Sequence, residues 1–275
     1  MKITTIVENT VPTSVKLLGE HGLAFLIETE GGKLLFDTGQ GMAIVNNLEK
    51  IGNSVKEIGA VVLSHGHYDH TGGIKSLLDA GAKFEIVAHP DVFSDKYALF
   101  PGKGFIPIGI PIDRAALEKR GVTLKLEKTP SRVCPGVTAT GEIPMKTDYE
   151  KIEQLLFVRE NGKEIPDPLA DDQALILETE KGIVVLLGCA HRGVVNTLYR
   201  VAEITGKTTV HAVMGGLHLE RAPDAQIEKT IAALREIEPK MIGIAHCTGM
   251  RAAVALVNAF GGKVFQCSVG TAVSF

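Results

Sequence analysis

The sequence predicts an α/β fold in four layers, two β-sheets packed face to face with helices on both outer sides. Three observations predict it. Strand and helix signals alternate along the 275 residues. The second half weakly repeats the first, so a duplicated unit would stack one sheet on the other. The densest polar cluster of the chain also directly follows an apolar strand, as expected where two sheets share a polar rim.

The elements follow in order. Ala24 to Thr29 and Lys33 to Asp37 read as a hairpin turning at Glu30-Gly31-Gly32. A helix is expected from Met42 to Ile51. The run Gly59-Ala60-Val61-Val62-Leu63 is a buried strand, Gly73 to Leu78 has helical patterning, and Phe84 to Ala88 is a further strand. Residues 93–130 break the pattern with Pro101, Gly102, Gly104, Pro107, Gly109 and Pro111. They read as a loop-rich insertion with a short helix at Asp113 to Lys119, which either walls a site or decorates the surface. The repeat then begins. Glu28-Thr29-Glu30 through Leu48 is matched, at a constant offset of 150, by Glu178-Thr179-Glu180 through Leu198. Ala60-Val61-Val62 resembles Ala212-Val213-Met214, and the strand ending at His89 resembles Met241 to Ala245 ending at His246. Residues 1–275 are thus read as a single domain.

Leu63-Ser64-His65-Gly66-His67-Tyr68-Asp69-His70-Thr71-Gly72-Gly73 carries three His and one Asp within six positions at a strand end. Neutral imidazole with carboxylate suits zinc, iron or manganese without any thiolate. His191 and His246 also stand at strand ends and are candidate ligands on the same rim. His218 reads as a substrate contact or as a residue supporting a ligand, rather than as a ligand itself. His89 and His21 read as structural, and His211 as packed in its sheet.

Bulk properties exclude several classes. Formal charge is −3, from 29 basic and 32 acidic residues without a basic stripe, so no nucleic-acid surface is expected. Trp is absent and Tyr occurs four times, which leaves little for base stacking. No dinucleotide or Walker glycine motif occurs. The opening apolar run is too short for a secretory signal, and other apolar runs are too short to span a bilayer. Cys134, Cys189, Cys247 and Cys267 form no C-x-x-C pair. A cytoplasmic setting and a small-molecule substrate are expected.

Leu35-Phe36-Asp37-Thr38-Gly39, the His65 to His70 element and the later strand-end motifs resemble the metallo-β-lactamase superfamily, from about Ala24 onward. Asp171-Asp172-Gln173-Ala174-Leu175, Gly188-Cys189-Ala190-His191-Arg192-Gly193, Gly215-Gly216-Leu217-His218-Leu219 and His246-Cys247-Thr248-Gly249 resemble more narrowly the branch containing the methanogen 7,8-dihydropterin-6-methyl-4-(β-D-ribofuranosyl)aminobenzene-5'-phosphate synthase and related metal-dependent hydrolases. The resemblance implies an αββα sandwich with two divalent metal ions at the sheet edge, zinc ahead of iron or manganese. It implies His65, His67 and His191 on one ion and Asp69, His70 and His246 on the other. Asp69 would double as proton acceptor, Asp37 would orient a ligand His, and Arg192 and Lys146 are candidates for an anionic substrate group.

The chain departs from the usual pattern at two places. The segment expected to hold another His reads Ala139-Thr140-Gly141-Glu142-Ile143, and the bridging-Asp position reads Leu187-Gly188-Cys189. His191 would replace one ligand. Cys189 or Glu142 would supply another, unless Cys189 is simply a small buried residue. The implied function is hydrolysis of a small anionic ester or phosphoester by hydroxide from metal-bound water. The alternatives are a dihydropterin-condensing transferase releasing pyrophosphate, and a non-enzymatic metal-binding or redox-sensing protein acting through Cys189 and Cys247.

Overall fold

The computed structural model describes residues 1–275. The first sheet runs, in spatial order, Ala272–Ser274, Lys2–Val7, Ala24–Thr29, Gly32–Phe36, Ile58–Val62, Glu85–Ala88 and Thr123–Leu126. The second runs Ser131–Cys134, Val137–Ala139, Ala174–Thr179, Gly182–Leu187, Ala212–Gly216, Met241–Ala245 and Val264–Gln266. In each sheet the first three pairings are antiparallel and the last three parallel. The repeat read at offset 150 is therefore a repeat of topology. It reaches the hairpin turns, where Thr29 Oγ1 donates to Gly32 O at 3.0 Å and Thr179 Oγ1 donates to Gly182 O at 2.8 Å.

Alternation along the strands sorts the core into layers. Val184 and Leu186 join Phe25, Ile27, Leu34, Phe36 and Met214 between the sheets. Ile183, Val185 and Leu187 face the other way, against helices Val194–Thr205, Asp224–Ile237 and Met250–Phe260. On the opposite outer side Leu26, Leu35 and Val61 pack with Ile44, Leu48 and Leu77 of helices Ile44–Lys50 and Gly73–Asp79. Strands buried on both faces need no polar side, which is why they read as continuous apolar runs. No helix is long and apolar enough to cross a membrane.

The structure corrects two expectations. The helix expected from Met42 begins at Ile44, because the Met42 and Ala43 N–H groups donate to Glu20 Oε2 at 2.9 and 3.1 Å instead of entering a regular turn. Residues 93–130 are not chiefly loop. Lys96–Phe100 and Gly104–Pro107 form a hairpin, and Lys96–Phe100 pairs with Leu156–Glu160 in a separate four-stranded sheet. Phe105 lies edge-on against Phe157, ring centroids 5.0 Å apart. This partner is remote in sequence, so turn-forming residues dominated the local pattern. The expected short helix is present as Arg114–Lys119, with Asp113 Oδ1 accepting the Ala116 N–H at 2.7 Å.

Candidate metal centre

Asp37 stands just past Gly32–Phe36 with a side chain wholly removed from solvent. Its Oδ1 accepts the Ser64 N–H at 2.7 Å. Its Oδ2 accepts the Ser64 hydroxyl at 2.6 Å and meets His70 Nδ1 at 2.7 Å. A carboxylate offers no proton, so His70 Nδ1 is the donor and its Nε2 is left to face the site. Ser64 extends the same logic. Its proton goes to Asp37, so its oxygen accepts from His65 Nδ1 at 2.8 Å, leaving a lone pair on His65 Nε2. Asn9 repeats the device on the opposite rim. Its Oδ1 accepts Gly22 N–H at 3.1 Å and His246 Nδ1–H at 2.9 Å, so His246 Nε2 also faces inward. Each orienting group fixes a tautomer that a metal ligand requires.

The other side of the centre is the chain leaving Gly182–Leu187. Gly188 is pressed against the first sheet's loop; a Cβ there would lie 2.1 Å from Ser64 Oγ and 3.1 Å from Asp37 Oδ2. Gly188→Ala is expected to lower unfolding free energy by about 1–3 kcal/mol through overpacking, measurable by urea denaturation, and to loosen the Ser64–His65 contact. The motif Asp171-Asp172-Gln173 joins the two loops. Asp171 Oδ2 accepts the Gly66 N–H at 2.8 Å, Asp172 Oδ2 the Arg192 N–H at 2.8 Å, and Gln173 donates to Ser64 O and Leu63 O at 2.9 and 2.8 Å. Asp37, Ala190, His218 and His246 all hold positive φ without being glycine, at 63°, 56°, 48° and 49°. Backbone strain of this kind gathers where surrounding structure over-determines a site.

The six residues expected as ligands come together in two groups. His65 Nε2 lies 3.0 Å from His67 Nδ1 and 3.2 Å from His191 Nε2. Asp69 Oδ2 lies 3.3 Å from His246 Nε2 and 3.8 Å from His70 Nε2. Cys189 sits between the groups, with Sγ 3.1 Å from His70 Nε2. Burial pushes the pKa of His65 and His191 well down and that of His67 to about 3, so these rings are neutral. Burial also opposes charge on Asp69, yet His70, His246 and His67 hold it below the usual carboxylate range. Burial likewise opposes charge on His70, but Asp37 and Asp69 outweigh it and raise its pKa to about 9. A field that would keep a proton on His70 Nε2 would equally favour a cation in its place.

The donors fit a divalent metal by their chemistry. The lone pair on His65 Nε2 faces His67 Nδ1 at 3.0 Å and His191 Nε2 at 3.2 Å, with the Asp69 carboxylate and the Cys189 thiol grouped beside His70. Neutral imidazoles beside a carboxylate and a thiol suit zinc.

Of the donors, His67, Asp69, His191 and His246 line a cavity of about 270 Å³, while His65 and His70 are fully buried and do not reach it. Leu99, Phe100, Ile108 and Leu156 form an apolar wall, so the 93–130 segment does line the site. His218 also lines it. Its Nε2 meets Glu153 Oε2 at 3.4 Å, and Arg221 donates to Glu153 Oε1 at 2.7 Å. Burial disfavours the imidazolium of His218, but Cys247 and Glu153 outweigh it and raise the pKa to about 10.

Other expectations are corrected. Arg192 donates to Ile143 O and Pro168 O, and Lys146 pairs with exposed Glu203, so neither guanidinium nor ammonium is presented to the cavity. Glu142 pairs with His89 Nε2 at 3.1 Å rather than joining the donors. His89 is structural as expected, its Nδ1 accepting the Asp91 N–H at 3.1 Å. His211 precedes its strand, with its ring edge-on to Phe275. His21, read as structural, lies at the site with Nε2 3.6 Å from Asp69 Oδ2. Sequence reasoning also missed Glu153, Arg221 and Asn9. No motif or periodicity in the sequence pointed to them.

The family model described as "Metallo-beta-lactamase superfamily" matches residues 18–246. Among curated relatives, 7,8-dihydropterin-6-methyl-4-(beta-D-ribofuranosyl)-aminobenzene-5'-phosphate synthase of Methanocaldococcus jannaschii is 32% identical over 100% of this chain and 97% of its own. Among solved structures, one described as a metal-dependent hydrolase of the beta-lactamase superfamily shares 28% identity with a TM-score of 0.86, covering 100% of this chain and 99% of the other. The metallo-beta-lactamase fold protein YhfI from Bacillus subtilis, 15% identical with a TM-score of 0.58 and 99% coverage of both chains, shares the fold.

Proposed function

This chain belongs to the metallo-beta-lactamase superfamily of enzymes, and we propose that it is a metal-dependent hydrolase of a small anionic ester or phosphoester, working in the cytoplasm as a single domain. The observation that carries this reading is the convergence of His65, His67 and His191 with Asp69, His70 and His246, four of which, His67, Asp69, His191 and His246, line a cavity. His65, His67 and His191 would hold one divalent ion and Asp69, His70 and His246 a second, with zinc favoured by the donors. Such ions supply a water acidic enough to attack near neutral pH and polarise the substrate oxygen.

The remaining chemistry belongs to the chain's own side chains. Asp37 is a positioning residue for His70 and, through Ser64, for His65. Asp69 is the proton acceptor, and His21, half exposed beside the same oxygen, gives the proton a route to solvent. His218, its pKa raised to about 10, lines the cavity beside His191, their ring centroids 4.1 Å apart, and would meet an anionic group of the substrate. The apolar wall takes the part of the substrate that does not react.

His67→Ala and His191→Ala test this. Each is expected to lose bound metal by elemental analysis and to lower ester or phosphodiester turnover by about 100-fold or more. Full metal content with full activity in either variant would sink the assignment. The 32% identity to the synthase over the whole chain favours a second reading, a condensing transferase. Pyrophosphate release from a dihydropterin diphosphate and an arylamine, without ester hydrolysis, would select it.

A further inference from the structure

The two donor groups differ in composition. Asp69 gives the His70 and His246 group a carboxylate, whereas His65, His67 and His191 offer imidazoles alone. The neighbouring carboxylates of Asp37, Asp171 and Asp172 fall in none of the donor groups. Both oxygens of Asp37 bind Ser64 and His70, those of Asp171 bind Lys96 and Gly66, and Asp172 accepts from Arg192. Cys189 is the anion-forming side chain whose donor atom groups with histidines of both sets, whereas Cys247 groups only with Cys189 and His218. Its Sγ falls within 4.8 Å of the donor atoms of His65 and His191, and also of those of His70 and His246. It is 3% exposed. Ala190, strained at φ 56°, turns the chain between Cys189 and His191 so that both enter the same cluster.

We infer that the Cys189 thiolate is a donor shared by the two metal sites. This rests on the metal-centre reading above. The thiol proton passes to water as the metal–sulfur bonds form, and the thiolate supplies the negative charge that the three-histidine side lacks. A sulfur donor also biases the pair toward zinc over harder ions.

Cobalt(II) loading of the full chain and of Cys189→Ser and Cys247→Ser tests this. Wild type and Cys247→Ser are expected to show a near-ultraviolet sulfur-to-cobalt charge-transfer band. Cys189→Ser is expected to lose the band and to bind cobalt about 10–100-fold more weakly. X-ray absorption on the zinc-loaded wild type, which needs no variant to fold, should find about one sulfur per zinc near about 2.3 Å. Metal bound without sulfur, about half a sulfur per zinc, or a band that survives in Cys189→Ser would overturn the shared thiolate and leave the metal centre standing. A wild-type chain that takes up neither cobalt nor zinc would overturn both.

Discussion

Asp37→Asn is expected to keep its fold yet bind metal about 10–100-fold more weakly, with hydrolysis falling at least in proportion. The substitution preserves shape and changes only what the group can accept. If the asparagine oxygen stays on the Ser64 N–H, its amide nitrogen faces Ser64 Oγ and His70 Nδ1, which the carboxylate contacts at 2.6 and 2.7 Å. His70 must then offer a lone pair at Nδ1 and carry its proton on Nε2, where a metal would bind. Ser64, now accepting from the amide, turns its own proton toward His65 Nδ1, 2.8 Å away, and pushes that ring into the wrong tautomer as well. One isosteric change thus reverses two imidazoles. Elemental analysis together with nitrogen NMR of the His65 and His70 rings would check it. Unchanged tautomers with wild-type metal retention would show that Asp37 merely packs.

This relay marks the boundary of what the sequence discloses. The six proposed donors were legible because four lie in one short segment after an apolar strand, while His191 and His246 stand at equivalent strand ends. The two hairpins were legible because the offset of 150 preserves their residue pattern down to the threonine that closes each turn. Asp37 could be placed as an orienting group from its position beside the cluster, but the part played by Ser64 depends on a proton direction that appears only with three-dimensional contacts. Asp171-Asp172-Gln173 was visible as a motif without a role, since its partners Gly66, Arg192 and Ser64 lie far off in the chain. The same separation hid the hairpin of residues 96–107, whose pairing strand is Leu156–Glu160. His21 and Glu153 lie in segments with no periodicity to give them a face.

Lys96→Met carries the largest expected loss of stability. Lys96 Nζ lies 2.8 Å from Asp167 Oδ2 and 2.9 Å from Asp171 Oδ1, and its side chain is 1% exposed. Burial would lower its pKa, but the Asp171 and Asp167 charges outweigh burial and raise it, so the ammonium persists at neutral pH. Methionine fills similar volume and leaves two buried carboxylates without their cation, a change that costs about 3–5 kcal/mol. The pH dependence distinguishes charge from packing. Burial already raises the Asp171 pKa, and Lys96 is the main influence holding it down. Without Lys96 the folded-state pKa rises further above the unfolded value. Stability is then fully present below about pH 4 and is lost as pH climbs through the raised folded value. Urea denaturation should therefore show a small deficit in acid and a large one at neutral pH. An equal deficit at both would assign the effect to lost packing. Asp171 also holds the Gly66 N–H, between His65 and His67, while Lys96 begins the strand that continues into the cavity wall. The variant should accordingly lose metal affinity at neutral pH along with stability, because the same ion triad that anchors the wall keeps the histidine loop in register.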